Sequence, residues 1–346
     1  MTRKRFFLQI ILIIVACTSF MTLQRKVAAK KIDQQTQAKL KGYLHDRQIN
    51  GLILVNGKGK QPLVIRNTTT TDRKQVIKEN QLFPIGSLQK FITGVATYQL
   101  VQKKGFDWNT QLSKYYPQIP GSNQITVQQL MTHTSGLQND GAVPDRPLKS
   151  EKEQENFFLH HFKVTNNHNW NYEDIDFEML AAIIRHQTHQ SYYHYVTKTI
   201  FKPLKLHQFK MIYRVKPSQI PNTMLDGVTW QQVSLTASSE IGAGDLLVSP
   251  IDYWNFIYNG VLKNQHLINT FISQPKSQRE AYFGGVYFQG NTIRANGSEP
   301  GYNCCFFADY KTKRTLMLFT NNIDYKTLRQ SADDLYQIYY GEHIQP

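Results

Sequence analysis

The chain carries at residues 83–92 the stretch FPIGSLQKFI, in which a Pro-Gly turn runs into an amphipathic helical pattern. Ser87 and Lys90 stand three positions apart in this stretch. Residues three apart on a helix share one face, with Cβ atoms about 5–6 Å apart, so the Lys90 amine can reach the Ser87 hydroxyl. Unpaired N–H groups at a helix start also favour developing negative charge. We therefore predict that Ser87 is a nucleophile and that Lys90 is part of its base.

The same Ser-x-x-Lys spacing occurs a second time, at Ser273 and Lys276, so the four-residue pattern alone does not identify a catalytic serine. Only the first copy is followed by apolar residues at helical spacing, which predicts a helix packed against a core and ending near Lys104. These apolar residues are Leu88, Phe91, Ile92, Val95, Ala96 and Leu100. The context therefore favours Ser87 over Ser273.

Strand patterns lie at the two ends of the chain, and helical patterns lie between them. The N-terminal patterns predict a hairpin around an Asn-Gly turn, and the C-terminal patterns predict further strands and a closing helix. The strand patterns cover residues 51–55, 62–65, 281–288, 292–296, 304–308 and 315–320, and the closing helix covers 324–340. We therefore predict an α/β (α+β) class, with one antiparallel sheet built from both chain ends and flanked by helices.

Between the two sheet regions we predict an all-helical lobe rather than an independent domain. The sheet takes about residues 45–85 and 280–346, the lobe takes about 95–270, and residues 31–346 form one domain. Within the lobe, Thr126 is a predicted helix N-cap and Gly136 the stop of that helix. The polar residues 138–167 predict a loop, and the patterns at 177–187 and 192–200 predict helices.

The first thirty residues have the pattern of an export signal. A basic Arg3-Lys4-Arg5 precedes the apolar residues 6–16, which are too few for a secure membrane span. Lipid attachment at Cys17, cleavage after Val27-Ala28-Ala29 and an uncleaved anchor remain open, beside a buried N-terminal helix. In the first three cases the catalytic part works outside the cytoplasm, and the N-terminus meets a membrane surface.

The net charge of +15 predicts attraction to polyanions. For an exported protein these are teichoic acids, anionic lipid head groups or the cell wall, rather than nucleic acid. Because the lysines are scattered, a generally basic surface explains the charge equally well. Cys304 and Cys305 are adjacent in a predicted strand and point to opposite faces, which argues against a disulfide between them and against a shared zinc. We expect no metal and no cofactor. An exported chain without a disulfide framework fits the surface of a Gram-positive type of bacterium.

Residues 85–90, together with residues 125–137, 170–177 and 242–254, resemble the serine-active penicillin-binding-protein family, especially its branch similar to class C β-lactamases. The resemblance covers roughly residues 81–322 and implies a β-lactamase/penicillin-binding-protein transpeptidase-like fold. It also implies that Tyr172 matches a tyrosine that contacts the serine and the lysine and shuttles the proton. For Lys90 to act as a base, burial and neighbouring groups must lower its pKa. His133 is predicted to be a structural, hydrogen-bonded histidine.

The sequence departs from the family pattern at two positions. Asp174 stands where the family has an asparagine that holds the substrate, and an ionised carboxylate only accepts hydrogen bonds. Alignment on residues 300–302 puts Ala295 where the family has a lysine or histidine. Arg294 is adjacent, but strand alternation aims it at the opposite face unless a bulge intervenes.

The same alignment places Gly297 on the family glycine, which lets substrate approach closely. By resemblance, the backbone N–H groups of Ser87 and Ser298 form the oxyanion hole. The candidate substrate-binding residues are Asp174, Asn296, Gly297, Ser298 and Glu299.

Both departures disfavour a substrate carboxylate and favour an ammonium group. The sequence hypothesis is therefore an esterase that removes D-alanine from teichoic or lipoteichoic acid through an acyl-Ser87 intermediate, as some similar wall enzymes do. The alternatives are a D-Ala-D-Ala carboxypeptidase or β-lactamase acting on peptidoglycan peptides or β-lactams, with Arg294 replacing the missing cation, and a catalytically silent wall-binding protein.

Overall fold

The computed structural model describes residues 32–57, 61–277 and 281–343, so the predicted export signal lies outside the described residues. The helices are α1 (Gln34–Asp46), α2 (Gln89–Gln102), α3 (Val127–Met131), α4 (Glu151–Phe158), α5 (Asp174–Thr188), α6 (Tyr192–Val196), α7 (Trp230–Ala237), α8 (Pro250–Asn255), α9 (Gln265–Ser273) and α10 (Tyr325–Tyr340). The strands are β1 (Gly51–Asn56), β2 (Pro62–Asn67), β3 (Phe83–Pro84), β4 (Leu137–Asn139), β5 (Phe162–Val164), β6 (Phe209–Met211), β7 (Leu246–Val248), β8 (Tyr282–Phe283), β9 (Val286–Gln289), β10 (Thr292–Glu299), β11 (Tyr302–Asp309) and β12 (Thr315–Thr320).

The main sheet joins the two ends of the chain. Its seven strands have the order β2-β1-β12-β11-β10-β9-β8, and every neighbouring pair is antiparallel. The N-terminal hairpin pairs with the last strand, with Leu54 opposite Met317. The predicted fold class is therefore confirmed. The predicted loop at 138–167 is wrong in part, because it contains α4 and the strand pair β4–β5.

The main sheet separates two apolar layers. Alternate residues of one strand enter different layers: Leu52 packs on the α2 side, whereas Ile53 packs on the side of α1 and α10. The same alternation places Cys304 in the first layer and Cys305 in the second, as the sequence predicted. Both cysteines are buried and unbridged.

Helix α2 lies at the centre of the molecule and is enclosed on all sides. Residues 89–98 are all buried, and Leu100 is buried as well. The prediction of an amphipathic helix is therefore wrong, because α2 packs against α5 and α6 on one side and against the sheet on the other, where the Phe91 ring stacks on the Phe306 ring. A helix of this kind is held by packing all round, and it gives Lys90 a fully buried position.

Helix α3 confirms one sequence prediction and corrects another. The Thr126 side chain accepts from the Gln129 backbone N–H, and the Gln129 side chain accepts from Thr126 in return, which is a capping box. The helix ends at Met131, well before the predicted stop at Gly136, because His133 takes a positive φ of 54°. In the described residues, no helix has both the length and the apolar character needed to cross a bilayer.

Candidate active site

Ser87 lies in the 3-10 turn that precedes α2, pressed against strand β10. Two glycines allow this contact. A Cβ on Gly86, whose φ is +47°, would lie 2.7 Å from the Ser298 backbone nitrogen, and a Cβ on Gly297 would lie 1.9 Å from the Ile85 carbonyl oxygen. The backbone of Ser298 therefore lies beside the turn that carries Ser87, and the oxyanion hole formed by these two residues stays a prediction. The Ile85 carbonyl group fills the space beside Gly297, so the glycine lets the Ser87 turn approach β10. A contact of Gly297 with substrate stays a prediction.

Lys90 joins the serine to Asp174. Its fully buried ammonium donates to Ser87 Oγ at 2.8 Å, to Asp174 Oδ1 at 2.5 Å and to the Ala243 carbonyl oxygen at 3.4 Å. Burial alone would lower the pKa of Lys90, but the charge of Asp174 opposes burial, and the net effect raises the pKa above its usual value. The expected lowering of this pKa is therefore wrong for the free protein, in which Lys90 is protonated.

Tyr172 completes a three-residue contact around the serine hydroxyl. Its own hydroxyl lies close enough to the side chains of Ser87 and Lys90 for both to influence its pKa, and the Lys90 Nζ lies 5.0 Å from the centre of its ring. Burial raises the pKa of Tyr172, while the charge of Lys90 acts in the opposite direction. The structure thus brings together the three side chains that the sequence proposed as catalytic.

His133 holds the loop that carries Tyr172. Its Nδ1 is hydrogen-bonded to Asp176 at 2.9 Å, its carbonyl oxygen accepts from the Asn171 N–H at 2.9 Å, and its ring lies 4.4 Å from the Tyr172 ring. Burial, assisted by the charge of Lys90, lowers the pKa of His133 well below its usual value. His133 is therefore a neutral, hydrogen-bonded structural residue, as predicted.

Ser87 opens into a cleft of about 630 Å³. Strand β10 contributes alternate residues to it, and the register with β11 is continuous, without a bulge. The cleft side carries Arg294, Asn296 and Ser298, whereas Ala295 and Gly297 are buried on the other side. The prediction that Arg294 points away from the site is wrong, because the cleft is built on the face of the strand opposite Ala295.

The closing helix α10 adds Tyr325 and Arg329 to the same cleft. Neither residue was identified from the sequence, because no motif surrounds them and only the pairing of chain ends brings α10 to the site. A second arginine therefore lines the cleft of Ser87, although uncharged Ala295 occupies the position where the family has a lysine or a histidine.

Glu299 does not line the cleft, contrary to the expected contact with substrate. It is buried on the inner side of β10, where its carboxyl group interacts with that of Glu240. Burial, together with the charges of Glu240 and Asp174, raises the pKa of Glu299 well above its usual value. Asp174, Glu178 and Glu240 also line a separate cavity of about 160 Å³. These carboxylates form an acidic layer that contacts Lys90 through Asp174 and is separate from the residues that line the cleft.

The carboxyl pair predicts a pH dependence of stability. Burial raises the pKa of Glu240 from 4.5 to about 8. A group that binds its proton more tightly in the folded state contributes stability that is lost as pH rises from the unfolded to the folded pKa. The melting temperature of the wild type should therefore fall between about pH 5 and pH 8. In the variant Glu240→Gln, residue 240 cannot ionise, so its melting temperature should fall less steeply with pH. At pH 8 the variant should melt a few degrees higher than wild type. Parallel slopes for the two proteins would contradict this assignment.

The site defines a class of enzyme: a serine hydrolase with a lysine and a tyrosine beside its nucleophile. Consistent with this geometry, a sequence model of the family described as Beta-lactamase matches residues 36–338. The chain belongs to the β-lactamase family, and it is a serine hydrolase.

Two curated relatives cover most of the chain. It is 25% identical over 343 residues to a putative penicillin-binding protein, PbpX, of Bacillus subtilis, with 92% of this chain and 84% of the relative covered. It is 27% identical over 333 residues to the teichoic acid D-alanine hydrolase of Staphylococcus aureus, with 86% of this chain and 78% of the relative covered.

Solved structures share the fold. The D-amino acid amidase of Ochrobactrum anthropi SV3 superposes with a TM-score of 0.74 at 19% identity, covering 89% of this chain and 99% of the amidase. FmtA of Staphylococcus aureus superposes with a TM-score of 0.72 at 23% identity, covering 93% of this chain and 94% of FmtA. The predicted family resemblance is therefore confirmed.

Proposed function

We propose that this chain is an extracytoplasmic hydrolase that removes D-alanyl esters from teichoic or lipoteichoic acid through an acyl-Ser87 intermediate. One observation carries the proposal: the Asp174 carboxylate lies against Lys90, which itself contacts Ser87. The side chain of Asp174 is 38% exposed and can meet a second cation. A D-alanyl ester carries its ammonium one carbon from the carbonyl that Ser87 attacks, so the charge of Asp174 lies near that ammonium.

Attack by Ser87 requires that its single proton pass to the base that Lys90 and Tyr172 form together. In the free protein Lys90 is protonated because Asp174 raises its pKa. A substrate ammonium beside Asp174 would share that negative charge and lower the pKa of Lys90. We propose that substrate binding thereby prepares the base.

The reaction then follows two steps of acyl transfer. Ser87 Oγ forms a bond to the ester carbon, the carbon–oxygen bond to the polymer breaks, and the proton from Ser87 passes to the departing polymer oxygen. Water then attacks the acyl-enzyme, its proton returns to Ser87 through Tyr172 and Lys90, and D-alanine leaves. The backbone N–H groups of Ser87 and Ser298 would hold the oxyanion in both steps.

Release of D-alanine tests this function directly. Purified protein should free D-alanine from alanylated lipoteichoic acid and should leave a pentapeptide ending in D-Ala-D-Ala intact. A protein that trims the pentapeptide and frees no D-alanine from the polymer would overturn the proposal.

The variant Asp174→Asn should separate substrates by their charge. For a D-alanyl ester, KM should rise and kcat/KM should fall about 10- to 100-fold, because a charge-assisted contact to the ammonium is lost. The matched N-acetyl-D-alanyl ester has no ammonium, so its kcat/KM should not fall. Because the pKa of Lys90 drops when Asp174 is neutral, the rising limb of the pH profile for the acetylated ester should move to lower pH. Equal losses on both esters would contradict an ammonium contact.

A second function is favoured by a specific observation. Arg294 and Arg329 line the cleft and would suit the terminal carboxylate of a D-Ala-D-Ala peptide or a β-lactam. Stable labelling of Ser87 by a fluorescent penicillin would support that function. The contacts among Ser87, Lys90 and Tyr172 count against a catalytically silent wall-binding protein, because inert scaffolds have no need of a buried lysine beside a serine.

The proposed location follows from the proposed substrate. Teichoic acids lie outside the cytoplasmic membrane of Gram-positive bacteria, and the relatives above are a penicillin-binding protein and a teichoic acid hydrolase. The basic N-terminal stretch 1–30, outside the described residues, would supply the export signal or the anchor. Fractionation of a tagged full-length protein into membrane, wall and medium would distinguish these outcomes.

A further inference from the structure

We propose that Arg294 and Arg329 form a phosphodiester-binding subsite, which holds the backbone of the polymer next to the D-alanyl ester that Ser87 attacks. This inference rests on the proposed function and adds to it the group by which the leaving side of the substrate is recognised. The nearest alternative ligand with the same anionic oxygen chemistry is the carboxylate of a peptide.

Two elements that are distant in sequence bring the arginines to one cleft. Arg294 comes from β10 in the main sheet, and Arg329 comes from the second turn of α10. The Arg294 guanidinium lies 4.6 Å from the centre of the Tyr287 ring, which also lines the cleft and restricts its orientation. Arg329 is exposed. The geometry therefore places two guanidinium groups within the cavity that contains the nucleophile.

The charges around the cleft are separated. In the described part of the chain, no aspartate or glutamate lines this cleft, whereas Asp174 and Glu240 line a separate cavity and Asp174 contacts Lys90. An alanylated polyol phosphate has the same polarity, with an ammonium on its acyl side and phosphodiesters on its leaving side. Guanidinium groups bind such oxygen pairs by two parallel N–H donors. A peptide ending in D-Ala-D-Ala matches the arginines, but the nitrogen next to its scissile carbonyl is an uncharged amide and not an ammonium.

The cleft is also longer than one alanyl ester requires. Trp170 lines the cleft of about 630 Å³ on one side and a second cavity of about 590 Å³ on the other. The second cavity is lined largely by polar side chains, including Gln128, Gln129 and Asn169. Amides of this kind donate to and accept from hydroxyl groups, so the surface on both sides of Trp170 suits an extended polyol chain.

Binding should be measured without hydrolysis, on Ser87→Ala protein with polyglycerol phosphate stripped of its D-alanine. We expect Arg294→Gln and Arg329→Gln each to weaken binding about 10-fold or more, and the double variant to weaken it further. Arg294→Lys, which keeps the charge but not the paired donors, should lose less. Arg73→Gln removes an exposed arginine that does not line the cleft and should bind as the parent does. Unchanged binding in both arginine variants would overturn the subsite.

Two small substrates then identify the anion. With Ser87 intact, the arginine variants should lose about 10-fold in kcat/KM on D-alanyl-glycerol phosphate and should retain wild-type kcat/KM on D-alanyl-glycerol. Variants that bind stripped polymer normally but lose affinity for an N-acyl-D-Ala-D-Ala peptide would show a carboxylate site and overturn the inference. Wild type that frees no D-alanine, yet binds stripped polymer through the arginines, would refute the esterase and support the subsite.

Discussion

Replacing Ser87 by alanine is expected to lower kcat/KM for D-alanine release by about four to six orders of magnitude, to the level of residual binding and oxyanion stabilisation. The reason is geometric. Ser87 Oγ is the oxygen that contacts both the buried Lys90 ammonium and the Tyr172 hydroxyl, beside the backbone of Ser298. Intact protein mass after treatment with a fluorophosphonate provides the second readout, because the variant should gain no adduct.

The chain offers a matched control at Ser273, the serine of the second Ser-x-x-Lys pattern. Ser273 ends helix α9, and its hydroxyl donates to the Thr270 carbonyl oxygen at 2.9 Å. Ser273→Ala should therefore keep wild-type activity and wild-type labelling. If Ser87→Ala still gained the fluorophosphonate adduct, or if Ser273→Ala lost it, Ser87 would not be the nucleophile.

Replacing Lys90 by glutamine is expected to lower kcat by about three to four orders of magnitude, because proton transfer from Ser87 and from the hydrolytic water would lose its acceptor. The side chain is fully buried, and its ammonium neutralises Asp174 at 2.5 Å. The variant therefore leaves Asp174 without its cation, and part of the folding free energy should be lost as well. Single-turnover kinetics and a thermal melt separate the two effects.

Lys276 is the corresponding control for Lys90. Its ammonium donates to the carbonyl oxygens of Phe271 at 2.7 Å and Ile272 at 2.9 Å, where it caps the C-terminal end of α9. Burial lowers the pKa of Lys276 to about 8, but no serine of the cleft contacts it. Lys276→Gln should therefore lower the melting temperature and leave kcat unchanged. A Lys90→Gln variant with kcat near wild type would remove Lys90 from the mechanism.

In the proposed reaction, opposite charges give the site a direction. The carboxylate of Asp174 would meet the acyl side, and Arg294 and Arg329 would meet the leaving side. On this proposal, the arrangement explains why Asp174 replaces an amide and why the cleft needs no cation at Ala295. It also links the substrate's ammonium to the pKa of Lys90. A substrate without an ammonium should lower that pKa less and should therefore be cleaved more slowly.

Several features followed from the sequence alone because they depend on local rules. Alternation along the strands predicted that Cys304 and Cys305 enter different layers, and the turn spacing of a helix predicted the contact of Lys90 with Ser87. The antiparallel sheet and the Thr126 cap also follow from such patterns. The match of Tyr172 came from the family resemblance, which places the tyrosine loop beside the serine.

Other features were decided only by the tertiary structure, because they depend on the distances between groups far apart in the chain. The charge of Asp174, which the fold brings within 2.5 Å of the Lys90 ammonium, raises the pKa of Lys90. This effect outweighs the lowering of the pKa that burial alone would cause. The raised pKa values of Glu240 and Glu299 require two distant segments to meet in a buried layer. Arg329 reaches the cleft only because the closing helix packs against the sheet beside β10. The sequence therefore indicated the groups that are proposed to carry out chemistry at Ser87, and the tertiary structure determined the charges that surround them, because those charges come from segments far apart in the chain.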